Sequence, residues 1–64
     1  METPIEKAIR IAGGQSTLAR AVGVSPQAVQ QWSKFGRVSH KKVIEVEQMT
    51  GVARHDLRPD IYPA

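Results

Sequence analysis

The stretch from Gln15 to Trp32 reads QSTLARAVGVSPQAVQQW, and its folding decides how the rest of the chain can be arranged. Leu18, Ala19 and Val22 recur at the spacing of one helical face, with Arg20 directed away from it. Gly23 then supplies a residue able to take the left-handed conformation that ends helices. Only Val24 separates it from Ser25-Pro26, a capping side chain followed by a proline that suits a first helical turn. The spacing predicts a helix of about two turns, a tight turn, and a second helix that starts almost at once. On this second helix, counting about 100° per residue from Gln27 puts Gln31 at about 40°, Lys34 at about 340° and Gln30 at about 300°. These residues share one face. Ala28, Val29 and Trp32 fall between about 100° and 200° and form the buried side, with Trp32 as core anchor.

Upstream, Thr3-Pro4-Ile5-Glu6 is a helix start: threonine can cap free amides, proline fits the first turn, and Glu6 can reach back to complete a capping box. Ile5, Ala8, Ile9 and Ala12 mark the buried face, and Gly13-Gly14 ends the helix. Downstream, Lys34 to Val38 contains Gly36 and reads as a loop, after which Ser39 is placed to cap a fourth helix bearing Val43, Ile44 and Val46 and ending at Gly51. Glu47 falls one turn after Val43, at the edge of the buried face, and needs a partner. From Val52 to Ala64 the apolar anchors are Leu57, Ile61 and Tyr62. A helical turn around His55 to Arg58 followed by an extended strap is expected there, because Pro59 and Pro63 lack the donors a β-ladder needs.

The fold expected is therefore all-α, with four to five short helices in one domain spanning residues 1–64. The helix-turn-helix lies at about 15–34 and the C-terminal strap at about 52–64. The structural alternative is a chain whose C-terminal half is β, with Val43 to Val52 in strands.

With 64 residues the chain is near the lower limit at which an apolar core holds a fold unaided. It has no cysteine, so disulfides and thiolate metal sites are excluded and nothing suggests an oxidising compartment. No apolar run approaches the roughly 18 residues of a membrane span, and Glu2 and Glu6 interrupt what would be a signal peptide. A soluble cytoplasmic protein with no membrane partner is expected. The net charge of +3 is modest but unevenly distributed. Charges cancel from Met1 to Gly14, and acids outweigh bases from Val43 onward. Between them, Gln15 to Lys42 carries Arg20, Lys34, Arg37, Lys41 and Lys42, with His40 and no acid at all. A basic stripe of this kind is the electrostatic footprint of a phosphate-binding surface; a merely solvated basic face is the alternative.

The spacing of Gln15, Ala19, Gly23, Val29 and Trp32 resembles the helix-turn-helix of phage repressors and Cro proteins. The VQQW and RHDLRPDIYP segments resemble the small Cro-like and YdaS-like regulators of prophages. The likeness is close over residues 15–32 and looser over nearly the whole chain. It implies a lambda-repressor-like DNA-binding domain whose second motif helix enters the major groove of an operator. Carried over by position, Gln27 and Gln31 would read bases, with Pro26 and Gln30 close to the groove. The chemistry agrees, since a glutamine amide can pair bidentately with N6 and N7 of adenine. Pro26 stands where the family often has a polar residue, so one frequent base contact is missing. Gln15 and Ser25, at helix starts, resemble the family's phosphate clamps. Lys34, Arg37, Lys41 and Lys42 are candidates for neighbouring phosphates, and Arg20 is a weaker one.

The resemblance further implies a repressor in a bacterial host cell, nucleoid-associated when bound, that acts by occupying a promoter and needs no cofactor. Any homodimer would have to form through this domain itself, from the fourth helix or the tail, or only on DNA. Enzymatic activity is not expected: His40 and His55 lie in separate segments without metal-ligand spacing, and Gly13-Gly14 is a helix boundary rather than a phosphate cradle. His55 beside Asp56 reads as a capping or surface pair. The competing class is a helical protein-interaction module, an antirepressor or toxin-like regulator, that uses the glutamine face on a protein. RNA binding lacks the exposed aromatic platforms on which unpaired bases stack, Phe35 and Tyr62 being the only candidates.

Overall fold

A computed structural model describes residues 1–63. Among them are five helices and no strand: α1 (Pro4–Ala12), α2 (Gln15–Val22), α3 (Pro26–Phe35), α4 (Val43–Thr50) and α5 (Arg54–Leu57). The all-α expectation holds, and the strands considered for Val43 to Val52 are replaced by α4. Ala64, the last residue of the expected strap, lies outside the described residues.

Each of the first three helices begins and ends where its residues allow. Thr3 Oγ1 accepts from the Glu6 amide at 3.2 Å and the Thr3 amide donates to Glu6 Oε1 at 3.2 Å, a complete capping box. Ser25 Oγ accepts from the Ala28 amide at 3.3 Å, with Pro26 in the first turn of α3. Between α2 and α3, Gly23 adopts φ 76° and ψ 34°, a left-handed conformation costly for a residue with a Cβ. The Gly23 and Val24 amides both return to the Ala19 carbonyl, so the turn satisfies the end of α2 while reversing the chain.

The core lies where α1 and α2 meet the other helices: α1 packs against all four of them, and α2 against α3 and α4 as well. Ile5, Ala8, Leu18, Ala19, Val29 and Val46 are fully or almost fully buried, and Trp32 keeps 7% of its surface exposed. Trp32 is thus the core anchor expected of it. Ala19 on α2 allows the close approach of α3 that a longer side chain would prevent. Burying a side chain such as Leu18 stabilises the fold by about 1.5–3 kcal/mol, and this packing fixes the direction in which α3 presents its other face.

The C-terminal half departs from the sequence reading in four places. Helix α3 runs through Phe35, so the loop starts at Gly36 rather than Lys34. Ser39 does not cap α4. Its carbonyl accepts from the Lys42 amide at 2.9 Å to close a turn, and Lys42 occupies the cap position, where its side chain caps no helix amide. The turn is needed because Val38 is fully buried, and the chain must come back out of the core before α4 begins. The strap is turned rather than extended, the Ile61 and Tyr62 amides both returning to the Arg58 carbonyl at 3.2 and 2.9 Å. That reversal leaves Ile61 exposed instead of anchoring the tail, while Tyr62 packs against the core and Arg54 lies over its ring.

Glu47 finds the partner it requires. Its Oε2 accepts from the Arg54 amide at 2.7 Å and its Oε1 from Arg54 Nε at 3.0 Å, so a side chain of α4 caps the first turn of α5. The Arg54 guanidinium, then its amide, holds the Glu47 carboxyl below the usual carboxylate range. Thr50 is buried, its Oγ1 donating to the Val46 carbonyl and accepting from the Val52 amide, which fixes the corner between the two helices.

Candidate nucleic-acid interface

Burial of Val29 and Trp32 on one side of α3 leaves the other side to solvent. Ser25, Pro26, Gln27, Gln30, Gln31 and Lys34 are all exposed, as the helical count requires. Gln30, Gln31, Ser33 and Lys34 form, with Gln15 from the start of α2, the wall of an open concavity of about 450 Å³. The tight turn at Gly23 thus brings Gln15, fifteen positions or more from these α3 residues in sequence, onto the surface they share. Ser25, Pro26 and Gln27 stand at the N-terminal end of α3, outside this concavity.

Gln31 also lines a second concavity, of about 320 Å³, with Trp32, Phe35, Arg37, Val38, Ser39 and Arg58. Here the α3–α4 loop and the tail meet. Arg58 Nη1 donates to the Val38 carbonyl at 2.8 Å across twenty positions of sequence. The same guanidinium holds Asp60 through two bonds, Nε to Oδ1 at 2.9 Å and Nη2 to Oδ2 at 2.7 Å. This pairing is the main reason the Asp60 carboxyl is held down to about 2, with Arg37 adding a smaller attraction.

The basic residues divide accordingly. Arg37 and Lys41 are exposed, while Lys42 is partly buried and its Nζ lies 3.2 Å from Glu45 Oε2. Lys34 Nζ lies 5.7 Å from the centroid of the Phe35 ring. Lys42 is therefore engaged within its own helix start and has less charge to offer a ligand than the sequence suggests. The acid-free stretch also acquires an acid in space, since Asp60 comes near Arg37; Arg58 neutralises it. The groups missed by sequence reasoning are Ser33, Phe35 and Arg58. Ser33 lies at about 240° on the helical count, just off the face assigned. Arg58 leaves no local signal, because its partner is a backbone carbonyl far back in the chain.

No group of His, Cys, Asp or Glu capable of holding a metal ion occurs among the described residues, and none of the described helices is long and apolar enough to cross a membrane. What the surface offers is a convex helix with neutral amides, flanked by exposed cations and two shallow hollows. Such an arrangement can pair with hydrogen-bonding edges and with anions.

Residues 5–64 match the family model described as bacterial toxin YdaS. The Gene 30 protein of Enterobacteria phage phi80 is 44% identical over 97% of this chain and 88% of its own. YdaS of Escherichia coli strain K12, whose name proposes a transcriptional regulator, is 41% identical over 88% of this chain and 60% of its own. Among solved structures, the Cro protein from a proposed prophage element, Xfaso 1, of Xylella fastidiosa strain Ann-1 superposes with a TM-score of 0.91 at 36% identity, covering all of both chains. A hybrid sequence of Xfaso 1 and Pfl 6, described as two Cro proteins with different folds, superposes with a TM-score of 0.67 at 39% identity, over 97% of this chain and 98% of its own. The Escherichia coli relative is thus named as a regulator and the two solved structures as Cro proteins, names that are not those of enzymes.

Proposed function

We propose, since the chain belongs to the YdaS family of Cro-like regulators of phage and prophage, that it represses transcription by binding an operator in duplex DNA with α3 in the major groove. The observation that carries this reading is the exposed row of Gln27 and Gln31 on a helix whose opposite face is locked into the core. A reading helix has to be rigid in this way, because a base-specific amide pair requires both its bonds to be aimed at once. Gln27 and Gln31 would take adenine edges, each worth about 1–3 kcal/mol of discrimination, with Gln30 and Pro26 beside the groove. Gln15, Ser25, Lys34, Arg37 and Lys41 would hold phosphates on either side and set the register, Lys42 only after releasing Glu45. Residues 1–64 act here as one DNA-binding domain. Two copies meeting on a two-fold site would read half-sites about one helical turn, roughly 34 Å, apart. No cofactor enters, and the protein works on the bacterial nucleoid.

The word toxin in the family's description is weak support for a second reading, in which the same face binds a protein. Salt dependence separates the two, because phosphate contacts release counterions and a neutral amide face on a protein does not.

The test is selection of bound duplexes from a random library at near-physiological salt, using the protein and its Gln27→Ala, Gln31→Ala double variant. Enrichment of a two-fold symmetric site by the first and not by the second is expected. If neither enriches a sequence, α3 does not read bases and the proposal fails.

A further inference from the structure

Phe35 is 68% exposed, so most of a large aromatic side chain stands in solvent at the end of α3. It follows Gln31 by four residues as Gln31 follows Gln27, so Gln27, Gln31 and Phe35 form one row along α3 at the spacing of successive turns. Gln31 and Phe35 also line the same concavity, together with Arg37. Beside the ring stands Lys34, its Nζ 5.7 Å from the centroid. The row of amides therefore ends in an apolar surface bordered by two cations.

Among the four bases only thymine presents an apolar group, its 5-methyl, on the major-groove edge, and phenylalanine is one of the side chains that can meet it. We propose that Phe35 contacts the 5-methyl group of a thymine adjacent to the base pair read by Gln31, while Lys34 and Arg37 take the phosphates bordering it. This rests on the reading of α3 as the DNA-reading helix and adds a specificity determinant to it. The contact excludes water from a methyl group and from the exposed ring, and makes a demand on sequence that the amides alone do not make.

The experiment compares the protein with Phe35→Ala and Phe35→Leu on the enriched site and on versions in which each thymine in turn is replaced by deoxyuridine, which removes only the methyl group. Circular dichroism confirms that both variants fold, as substitution at so exposed a position should permit. At one thymine of each half-site the methyl deletion should weaken the protein by about three- to fivefold, the value of one buried methyl group. Phe35→Ala should be insensitive to that deletion, and Phe35→Leu should retain part of the sensitivity. Equal responses of the protein and Phe35→Ala at every thymine overturn the inference while leaving base reading by Gln31 intact. So does an enriched site with no thymine next to the pair that depends on Gln31. Failure of the protein to prefer any duplex overturns this contact and the parent reading together.

Discussion

Replacing Gly23 by alanine isolates the conformational contribution of the turn that joins α2 to α3. A Cβ built on Gly23 meets no atom within 4 Å, so the substitution introduces no clash. What remains is the backbone: at φ 76° a residue with a Cβ pays about 1–2 kcal/mol to stay left-handed. Alanine also stiffens the unfolded chain, but where φ is positive that benefit is the smaller quantity. The net loss should be about 1 kcal/mol, which for a chain of this size lowers Tm by about 4–8 °C. Asparagine, which tolerates the left-handed region, should lose less than alanine. Thermal and urea unfolding of Gly23→Ala and Gly23→Asn measure both. Because no neighbour is displaced, duplex affinity well below Tm should be unchanged. Equal losses for the two variants, or a loss above about 3 kcal/mol for alanine, would show that the turn contributes through packing and that the conformational argument is mistaken.

Two further outcomes are expected. Asp60 titrates near 2 in the folded protein against an ordinary value of 3.8, so its pairing with Arg58 contributes fully above the ordinary value and is lost as pH falls toward the folded one. Asp60→Asn should accordingly flatten the fall in Tm between about pH 4 and pH 2, and an unchanged profile would remove Asp60 from the acid sensitivity. Lys41→Ala should weaken all duplexes alike and reduce the salt slope of binding by about one, whereas Lys42→Ala, already tied to Glu45, should change the slope less; fluorescence anisotropy across a salt series reads both.

The parts of the fold that could be read from sequence are those decided within one turn of chain. The Thr3 capping box, the Ser25-Pro26 start and the stop at Gly23 are local hydrogen-bond and dihedral choices, and all appear where their residues stand. The glutamine face was legible for the same reason, since a helix bearing Val29 and Trp32 inward has only one side left. Ser39 misled because its side chain satisfies the rule for a cap, while the burial of Val38 and a backbone turn decide where α4 begins. Ile61 misled in the opposite sense: apolar character gave it an anchor's role, but the Arg58 turn carries it outward. Arg58 and its distant carbonyl, and the approach of Asp60 to Arg37, depend on tertiary placement and had no pattern to betray them.

Half of the eight residues of α4 are β-branched, Val43, Ile44, Val46 and Thr50, and no side chain caps its beginning. Its own residues favour an extended backbone about as readily as a coiled one. What keeps it helical is the burial of Val43 and Val46 against the first two helices, the Gly51 stop, and the bonds of Glu47 and Thr50 to the segment that follows. The half built on α2 and α3, by contrast, carries its instructions locally. The two halves therefore fail differently: shaving Val43 or Val46 removes the support that makes α4 a helix at all, whereas α2 and α3 keep their own starts and stops whatever is packed against them.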